Sequence, residues 1–209
     1  MIELFSSETP NTRKISIMLE EIDFKFKLTN IDLSNGDQFK TEFKKISPFS
    51  KTPVIIDHEN GKSIFESGAI LIYLGEKSGK FYNEKDRNII NQWLMAQMGN
   101  VGPMIGQHHQ FHHFNPGKSK FGEQKFFDQA KRIYGDLDER LSQSKYLAGE
   151  NYTIADIATW PWISRHEWHD IGLKNYKNLT RWYDEISKRD GVKKGFAFMD
   201  KNELPPKPY

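Results

Sequence analysis

The residues Lys51-Thr52-Pro53-Val54, followed nine residues later by Ser63-Ile64-Phe65-Glu66-Ser67-Gly68-Ala69-Ile70, decide the fold of this chain. An apolar run typical of a β-strand begins at Pro53, and a glycine turn separates it from a second short strand. Proline has no backbone N–H and keeps the preceding residue extended. The N–H and C=O of Thr52 are therefore predicted to be available for an extended ligand backbone.

The helix that follows, beginning at Glu66-Ser67, adds charge to this hairpin. A helix N-terminus presents unpaired N–H donors, and with the Ser67 hydroxyl it suits a carboxylate. The Glu66 carboxylate suits an ammonium group. A ligand with both groups and a peptide-like backbone is an amino acid or a small peptide. Residue chemistry alone leaves open an ordinary strand–turn–helix in which Ser67 caps the helix.

The Thr-Pro-Val segment with Phe65 to Ile70 resembles the glutathione site of the glutathione transferases. The resemblance implies that Thr52, ahead of a cis-proline, pairs with the cysteinyl backbone of glutathione. It also implies that Glu66 and Ser67 hold the γ-glutamyl end.

Composition describes an ordinary globular protein of 209 residues with 37% hydrophobic residues. The 30 basic and 28 acidic side chains are interspersed, which argues against a nucleic-acid surface. No apolar run reaches the roughly 18 residues of a membrane span, and the N-terminus runs straight into a strand pattern. We therefore expect a cytoplasmic protein. Because the chain has no cysteine, any thiol in its chemistry must arrive with a substrate.

Strand and helix patterns in residues 1–80 follow the order β-α-β-α-β-β-α, which predicts a four-stranded mixed sheet and resembles the thioredoxin fold. Strands are predicted at Ile2–Phe5, Phe26–Leu33, Val54–Ile56 and Ser63–Phe65. Helices are predicted at Asn11–Ile22, around Phe39–Ile46 and at Ser67–Lys77.

After a linker over 79–85, residues 86–203 carry helical patterns only. Helices are predicted at Asp86–Met98, Glu123–Ser142, Thr153–Trp168, Asn175–Lys188 and Val192–Met199, with Gly99, Gly102, Pro103 and Gly106 bending the chain after the first. Thr153 and Asp156 have the spacing of a capping box, and the tail 204–209 is predicted to be extended and loose. A thioredoxin-like domain followed by a helical bundle is the glutathione transferase architecture, and the resemblance implies that the bundle contributes the second-substrate pocket.

The loop Ser6-Ser7-Glu8-Thr9-Pro10-Asn11 follows the first strand, where the thioredoxin-like fold brings it beside the proline loop. One interpretation is a turn followed by a helix N-cap. The other is a thiolate held over the helix N-terminus, which lowers the pKa of a thiol, with Thr9 and Asn11 donating to sulfur. The two interpretations are compatible, since a cap position can also hold an anion.

Further motifs narrow the resemblance to the bacterial Nu-class glutathione transferases, which are glutathione-dependent disulfide-bond oxidoreductases. The motifs are Thr9-Pro10-Asn11, Gly36-Asp37-Gln38-Phe39, Ile46-Ser47-Pro48 and Gly102-Pro103-Met104-Ile105-Gly106-Gln107. The resemblance implies the following site: Thr9 and Asn11 as catalytic contacts to the glutathione sulfur, and Asn11, Gln38, Lys51, Thr52, Glu66, Ser67 and Arg132 as glutathione-binding residues. Gln38 and Lys51 are assigned to the glycyl end and Arg132 to the edge of the site. Family members have glycine or other residues at the positions of Thr12 and Arg13. The resemblance therefore does not predict which contacts these two residues make behind the site.

The implied reaction is reduction of a small or mixed disulfide by the thiolate of bound glutathione, in a homodimer, with glutathione as co-substrate and no metal or flavin. One alternative is conjugation of glutathione to carbon electrophiles, or peroxidase activity. Another is a non-catalytic glutathione-binding regulatory protein.

The cluster His108-His109-x-x-His112-His113 has the i,i+4 spacing of a metal site on a helix. No carboxylate lies among these histidines, so we favour a place at the mouth of the second-substrate pocket or on the surface.

Overall fold

The computed structural model describes residues 1–208. They form two compact units, the first built from residues 1–80 and 189–204, the second from residues 81–188 and 205–208. Residues 189–203, which the sequence assigns to the helical domain, therefore pack with the thioredoxin-like part.

The sheet of the first unit has the order β2-β1-β3-β4. Its strands are β1 (Ile2–Ser6), β2 (Phe26–Asn30), β3 (Val54–Asp57) and β4 (Lys62–Phe65). Strand β1 is parallel to β2 and antiparallel to β3, which is antiparallel to β4. The predicted four-stranded mixed sheet is confirmed.

Strand β2 ends three residues before the predicted end at Leu33. The Asp32 carboxylate accepts the backbone N–H groups of Ser34 and Asn35 at 2.9 and 3.1 Å, which turns the chain away from the sheet. Periodicity does not detect such a turn because it lies in the side-chain hydrogen bonds of one aspartate.

Helices are numbered in chain order. They are α1 (Pro10–Glu21), α2 (Thr41–Ile46), α3 (Ser67–Ser78), α4 (Arg87–Ala96), α5 (Gly102–His109), α6 (Lys120–Gln143), α7 (Ile154–Ile163), α8 (Lys177–Ser187) and α9 (Asp190–Phe196). Helices α1, α2, α3 and α9 belong to the first unit, and α4 to α8 belong to the second.

The glycine- and proline-rich stretch after α4 stays helical. Wider π-type turns at Gln97–Val101 and Gln110–Phe114 flank α5. A Cβ on Gly102 would lie 3.3 Å from the Trp162 ring, so the glycine permits a close approach of α7.

Helix α7 ends at Ile163, five residues before the predicted end at Trp168. The N–H of His166 bonds to the carbonyl of Ile163 at 2.9 Å, a tighter i,i+3 turn that ends the helix. The predicted capping box is present at its start, where Thr153 caps Ala155 and the Asp156 carboxylate accepts the Thr153 N–H.

The tail has no regular secondary structure over residues 205–208. It is not loose, because the Tyr183 hydroxyl donates to the Pro206 carbonyl at 2.7 Å and Pro208 is buried. Tyr209, part of the same prediction, lies outside the described residues. Within residues 1–208, no helix is both long and apolar enough to cross a membrane.

Candidate functional site

The loop before β3 holds the proposed backbone contact. The Thr52–Pro53 peptide bond is cis, as the resemblance implied. The loop is closed by Ser47, whose hydroxyl accepts the Lys51 N–H at 3.0 Å and donates to the Lys51 carbonyl at 2.8 Å. Val54 pairs with strands on both sides, which sets Thr52 at one edge of the sheet.

The loop after β1 lies directly against this segment. The hydroxyl oxygens of Ser7 and Thr52 are 2.5 Å apart. Thr9 caps α1, with its Oγ1 accepting the Thr12 N–H at 3.2 Å, and Pro10 occupies the first helical position. The predicted N-cap is therefore confirmed, and Asn11 follows in the first turn, partly exposed.

The helix N-terminus after β4 has an unusual backbone. Glu66 is exposed and has φ 68° and ψ 117°, in the positive-φ region that non-glycine residues rarely occupy. Such a conformation costs about 1–3 kcal/mol and concentrates at ligand-binding sites. Ser67 begins α3 and is only 5% exposed.

Lys14 lies directly behind the start of α3, a placement that none of the sequence motifs suggested. It is 1% exposed, and its Nζ donates to the Ser67 hydroxyl at 3.3 Å. Burial lowers the pKa of Lys14 well below its ordinary range, while the nearby Glu66 carboxylate acts in the opposite direction. A sequence signal exists, since Lys14 is four residues before Met18 and so falls on the apolar stripe of α1.

These contacts bring three sequence motifs together. The Ser7–Thr52 hydrogen bond joins the loop of Thr9 to the loop of Pro53, and Lys14 joins α1 to the start of α3. One face of the first unit therefore presents two helix N-termini and the loop that contains the cis Thr52–Pro53 bond.

Among residues 1–208, no side-chain hydrogen bond or ion pair connects Gln38, Lys51 or Arg132 with this group. Gln38 donates from Nε2 to the Leu33 carbonyl at 3.3 Å, and its Oε1 is buried without a hydrogen-bond partner among residues 1–208. Lys51 is exposed on its loop, and Arg132 is exposed on α6 of the second unit. Their roles toward glutathione stay predictions.

The histidine cluster belongs to the second unit, and the expected surface position is wrong for His108 and His109, which are buried. His108 Nε2 lies 3.0 Å from the His169 carbonyl, and His112 pairs with Asp170. His109 stacks on His169 with ring centroids 4.9 Å apart. The part of the chain that the structure describes contains no group of three or more His, Cys, Asp or Glu side chains placed to hold a metal ion.

Comparison with known proteins identifies the family. The glutathione S-transferase N-terminal domain matches residues 2–76, and the C-terminal domain matches residues 101–190. The disulfide-bond oxidoreductase YfcG of Escherichia coli (strain K12) is 42% identical over 196 residues, covering 90% of this chain and 91% of that protein. The chain belongs to the glutathione S-transferase family.

Solved glutathione transferases share the whole fold. The enzyme from Burkholderia graminis, with two glutathione molecules bound per subunit, superposes with a TM-score of 0.89 at 34% identity and covers 96% of this chain and 89% of that chain. The enzyme from Pseudomonas putida, with one glutathione disulfide bound per subunit, superposes with a TM-score of 0.88 at 36% identity. The match covers 95% of this chain and 91% of that chain. The predicted glutathione transferase fold, a thioredoxin-like domain with a helical C-terminal domain, is confirmed.

Proposed function

We propose that this glutathione transferase reduces small or mixed disulfides with glutathione, using the thiolate of bound glutathione where other enzymes use a protein cysteine. One observation carries the proposal: the Ser7–Thr52 hydrogen bond sets the N-terminus of α1 beside the proposed peptide-binding segment in a chain without cysteine. Support comes also from the relative named as a disulfide-bond oxidoreductase and from the related structures that hold two glutathiones or glutathione disulfide.

The peptide part of glutathione matches the polar groups of the first unit. The backbone of Thr52 pairs with the cysteinyl residue, and Glu66 binds the γ-glutamyl ammonium. Ser67 binds the γ-glutamyl carboxylate, because it lies at a helix N-terminus, which favours an anion, and its hydroxyl accepts from the buried Lys14 Nζ and can donate to the ligand.

Gln38 and Lys51 bind the glycyl carboxylate at the other end of the tripeptide. Arg132 is assigned to the edge of the site. Lys51 suits this role because it is exposed and charged.

The sulfur lies over the first turn of α1. Unpaired N–H groups of a helix N-terminus lower the pKa of a thiol, and the Thr9 hydroxyl and Asn11 amide add donors. The protein contributes position and charge stabilisation rather than a nucleophile of its own.

The reaction has two displacements. The thiolate of the first glutathione attacks one sulfur of the disulfide, forming a mixed disulfide and releasing a thiolate that takes up a proton. A second glutathione thiolate attacks the glutathione sulfur of the mixed disulfide, giving oxidised glutathione and the second thiol. Two thiols are oxidised and one disulfide is reduced, so electrons balance.

We also propose a homodimer in the cytoplasm. The family resemblance supports the dimer, whose interface should bury more than about 1,000 Å². The reaction consumes reduced glutathione and therefore needs a compartment that keeps thiols reduced, which the cytoplasm provides.

Three measurements on the intact protein test the function: calorimetric binding of glutathione, turnover of hydroxyethyl disulfide, and conjugation of chlorodinitrobenzene. We expect binding and turnover of the disulfide well above conjugation. Conjugation without disulfide turnover would favour the conjugating transferase, and binding without either activity would favour the regulatory protein. Absence of glutathione binding would reject all three.

A further inference from the structure

The side chain of Arg13 is buried inside the first unit, although arginine is rarely buried. It lies in the first turn of α1, where its N–H bonds to the Thr9 carbonyl at 3.1 Å, and it is 4% exposed. Burying a guanidinium is costly unless partners compensate for lost water.

Its partners come from the loop just before α1 and from the C-terminal segment of the unit, which are far apart in the sequence. The Arg13 Nη2 pairs with Glu203 and lies 3.5 Å from Glu8 Oε1. Its Cζ is 4.0 Å above the centre of the Phe196 ring. One side chain therefore connects the loop before Thr9 with the C-terminal segment of the unit.

The segment that supplies Glu203 and Phe196 is fixed on α1. The Ser16 hydroxyl donates to the Gly195 carbonyl at 2.6 Å. A Cβ on Gly195 would lie 2.4 Å from Ile17 Cα, so only glycine permits this contact between α9 and α1. Phe196 is thus held against α1, and Glu203 follows it in the same segment.

The stability of the fold does not by itself explain why an arginine is buried at position 13. Its Nε is buried without a hydrogen-bond partner among residues 1–208. Replacing a buried ion pair with apolar side chains of similar size often leaves the stability of a fold unchanged or raises it. A buried N–H donor without a partner, such as the Arg13 Nε, lowers that stability further. A role in positioning accounts for the charge, because Glu8 precedes the Thr9 cap directly.

We propose that Arg13, held by Glu203 and Phe196, is a positioning residue that fixes Glu8 and the start of α1 through Asn11 in the geometry that stabilises the glutathione thiolate. The inference rests on the proposed function, and it assigns to Phe196 and Glu203 a supporting part in catalysis that none of the sequence motifs suggested. Because Arg13 acts through the loop, its loss should affect the sulfur more than the peptide part of glutathione.

The test compares Arg13→Met and Glu203→Gln with a matched control, Arg189→Met. Arg189 forms another ion pair of the same segment, with Nε 2.6 Å and Nη2 2.8 Å from the Glu21 carboxylate. Glu21 lies at the far end of α1, about 12 Å from Arg13 along the helix axis. The control therefore removes a comparable ion pair far from the sulfur.

Three readouts are measured: kcat and KM with hydroxyethyl disulfide, the pH titration of the thiolate absorbance of bound glutathione, and urea unfolding. We expect Arg13→Met to lower kcat about tenfold with little change in KM for glutathione, and to raise the pKa of the bound thiol. Arg189→Met should lower the unfolding midpoint only. Glu203→Gln leaves the interior of α1 intact, so it tests the same contact if Arg13→Met does not fold.

Wild-type kcat and an unchanged thiol titration in both Arg13→Met and Glu203→Gln would overturn the inference while leaving the proposed function intact. Equal losses in kcat for Arg189→Met and Arg13→Met would also overturn it, because the effect would then be general destabilisation. A wild-type protein without glutathione binding would reject the function and this inference together.

Discussion

The hydroxyl oxygens of Ser7 and Thr52 lie 2.5 Å apart, joining the loop before α1 to the loop before β3. The two residues belong to separate sequence motifs, one assigned to the sulfur of glutathione and one to its backbone. Their contact makes the two motifs parts of one surface, and it is the relationship on which the proposed site depends.

The first prediction concerns this hydrogen bond. Ser7→Ala and Thr52→Val each remove one hydroxyl and keep the backbone, so each should weaken glutathione binding by loosening the two loops. Because both break the same bond, the double variant should be scarcely worse than either single one. A double-mutant cycle by calorimetry should give a coupling energy of about 1 kcal/mol. Strict additivity would show that the two loops are held by other contacts.

The second prediction concerns Lys14. Its pKa is lowered by burial, so between that pKa and the ordinary value of 10.5 the unfolded state binds more protons than the folded state. Stability therefore rises with pH across this window. Lys14→Met should be more stable than the wild type at pH 7, with a gain that shrinks as the pH approaches 10.5.

The same variant should bind glutathione about tenfold more weakly, because Ser67 loses the hydrogen-bond donor behind it that orients its hydroxyl toward the γ-glutamyl carboxylate. Lys25→Met, which changes an exposed lysine, serves as the control and should alter neither property. Urea unfolding at several pH values and calorimetry measure the two effects. A Lys14→Met protein with unchanged affinity would remove Lys14 from the site.

The third prediction separates catalysis from binding. Asn11→Ala should lower turnover of hydroxyethyl disulfide by about 100-fold and glutathione affinity only slightly, since a donor to a developing charge acts mainly in the transition state. Glu66→Gln should do the reverse, because it removes the charge that binds the ammonium. Equal losses of kcat and affinity in Asn11→Ala would mean that Asn11 only binds.

The fourth prediction uses the backbone of Glu66. At φ 68° and ψ 117° a glycine is less strained than glutamate because it has no Cβ, so Glu66→Gly should raise the free energy of unfolding by about 1 kcal/mol. Glu66→Gln keeps the Cβ and should leave stability unchanged. Both variants should bind glutathione more weakly. Destabilisation by Glu66→Gly would show that the carboxylate contributes more to the fold than its backbone costs.

The fifth prediction concerns acid stability of the second unit. Burial, with the charges of Arg165 and His108, lowers the pKa of His109 to about 3. The unfolded histidine titrates near 6.5, so stability falls as the pH drops from about 6.5 towards 3.

His109→Phe should therefore reduce the loss of unfolding free energy between pH 7 and pH 4.5 by on the order of 2 kcal/mol. His58→Phe, at a half-exposed histidine of the first unit, is the comparison. Parallel pH profiles for His109→Phe and the wild type would contradict the assignment of this acid sensitivity to His109.

Much of the fold was predictable because its signals are local. The capping box at Thr153 and the glycine turn before Ser63 are read from neighbouring residues, and the structure confirms the elements they predict. The wrong predictions of where elements end also have local causes. Strand β2 ends before its apolar pattern does, because the Asp32 carboxylate turns the chain. Element ends depend on such single hydrogen bonds, which periodicity does not register.

Sequence alone determined the chemistry available to this protein: no cysteine, a threonine and an asparagine at the start of a helix, and a Glu-Ser pair at the start of another. Only the tertiary structure decided what stands behind these groups. Lys14 meets Ser67 across 53 residues, and Arg13 meets Glu203 across 190. Helical periodicity places Lys14 on the apolar stripe of α1, but the partner that each buried charge meets depends on how distant segments pack, which no local pattern specifies.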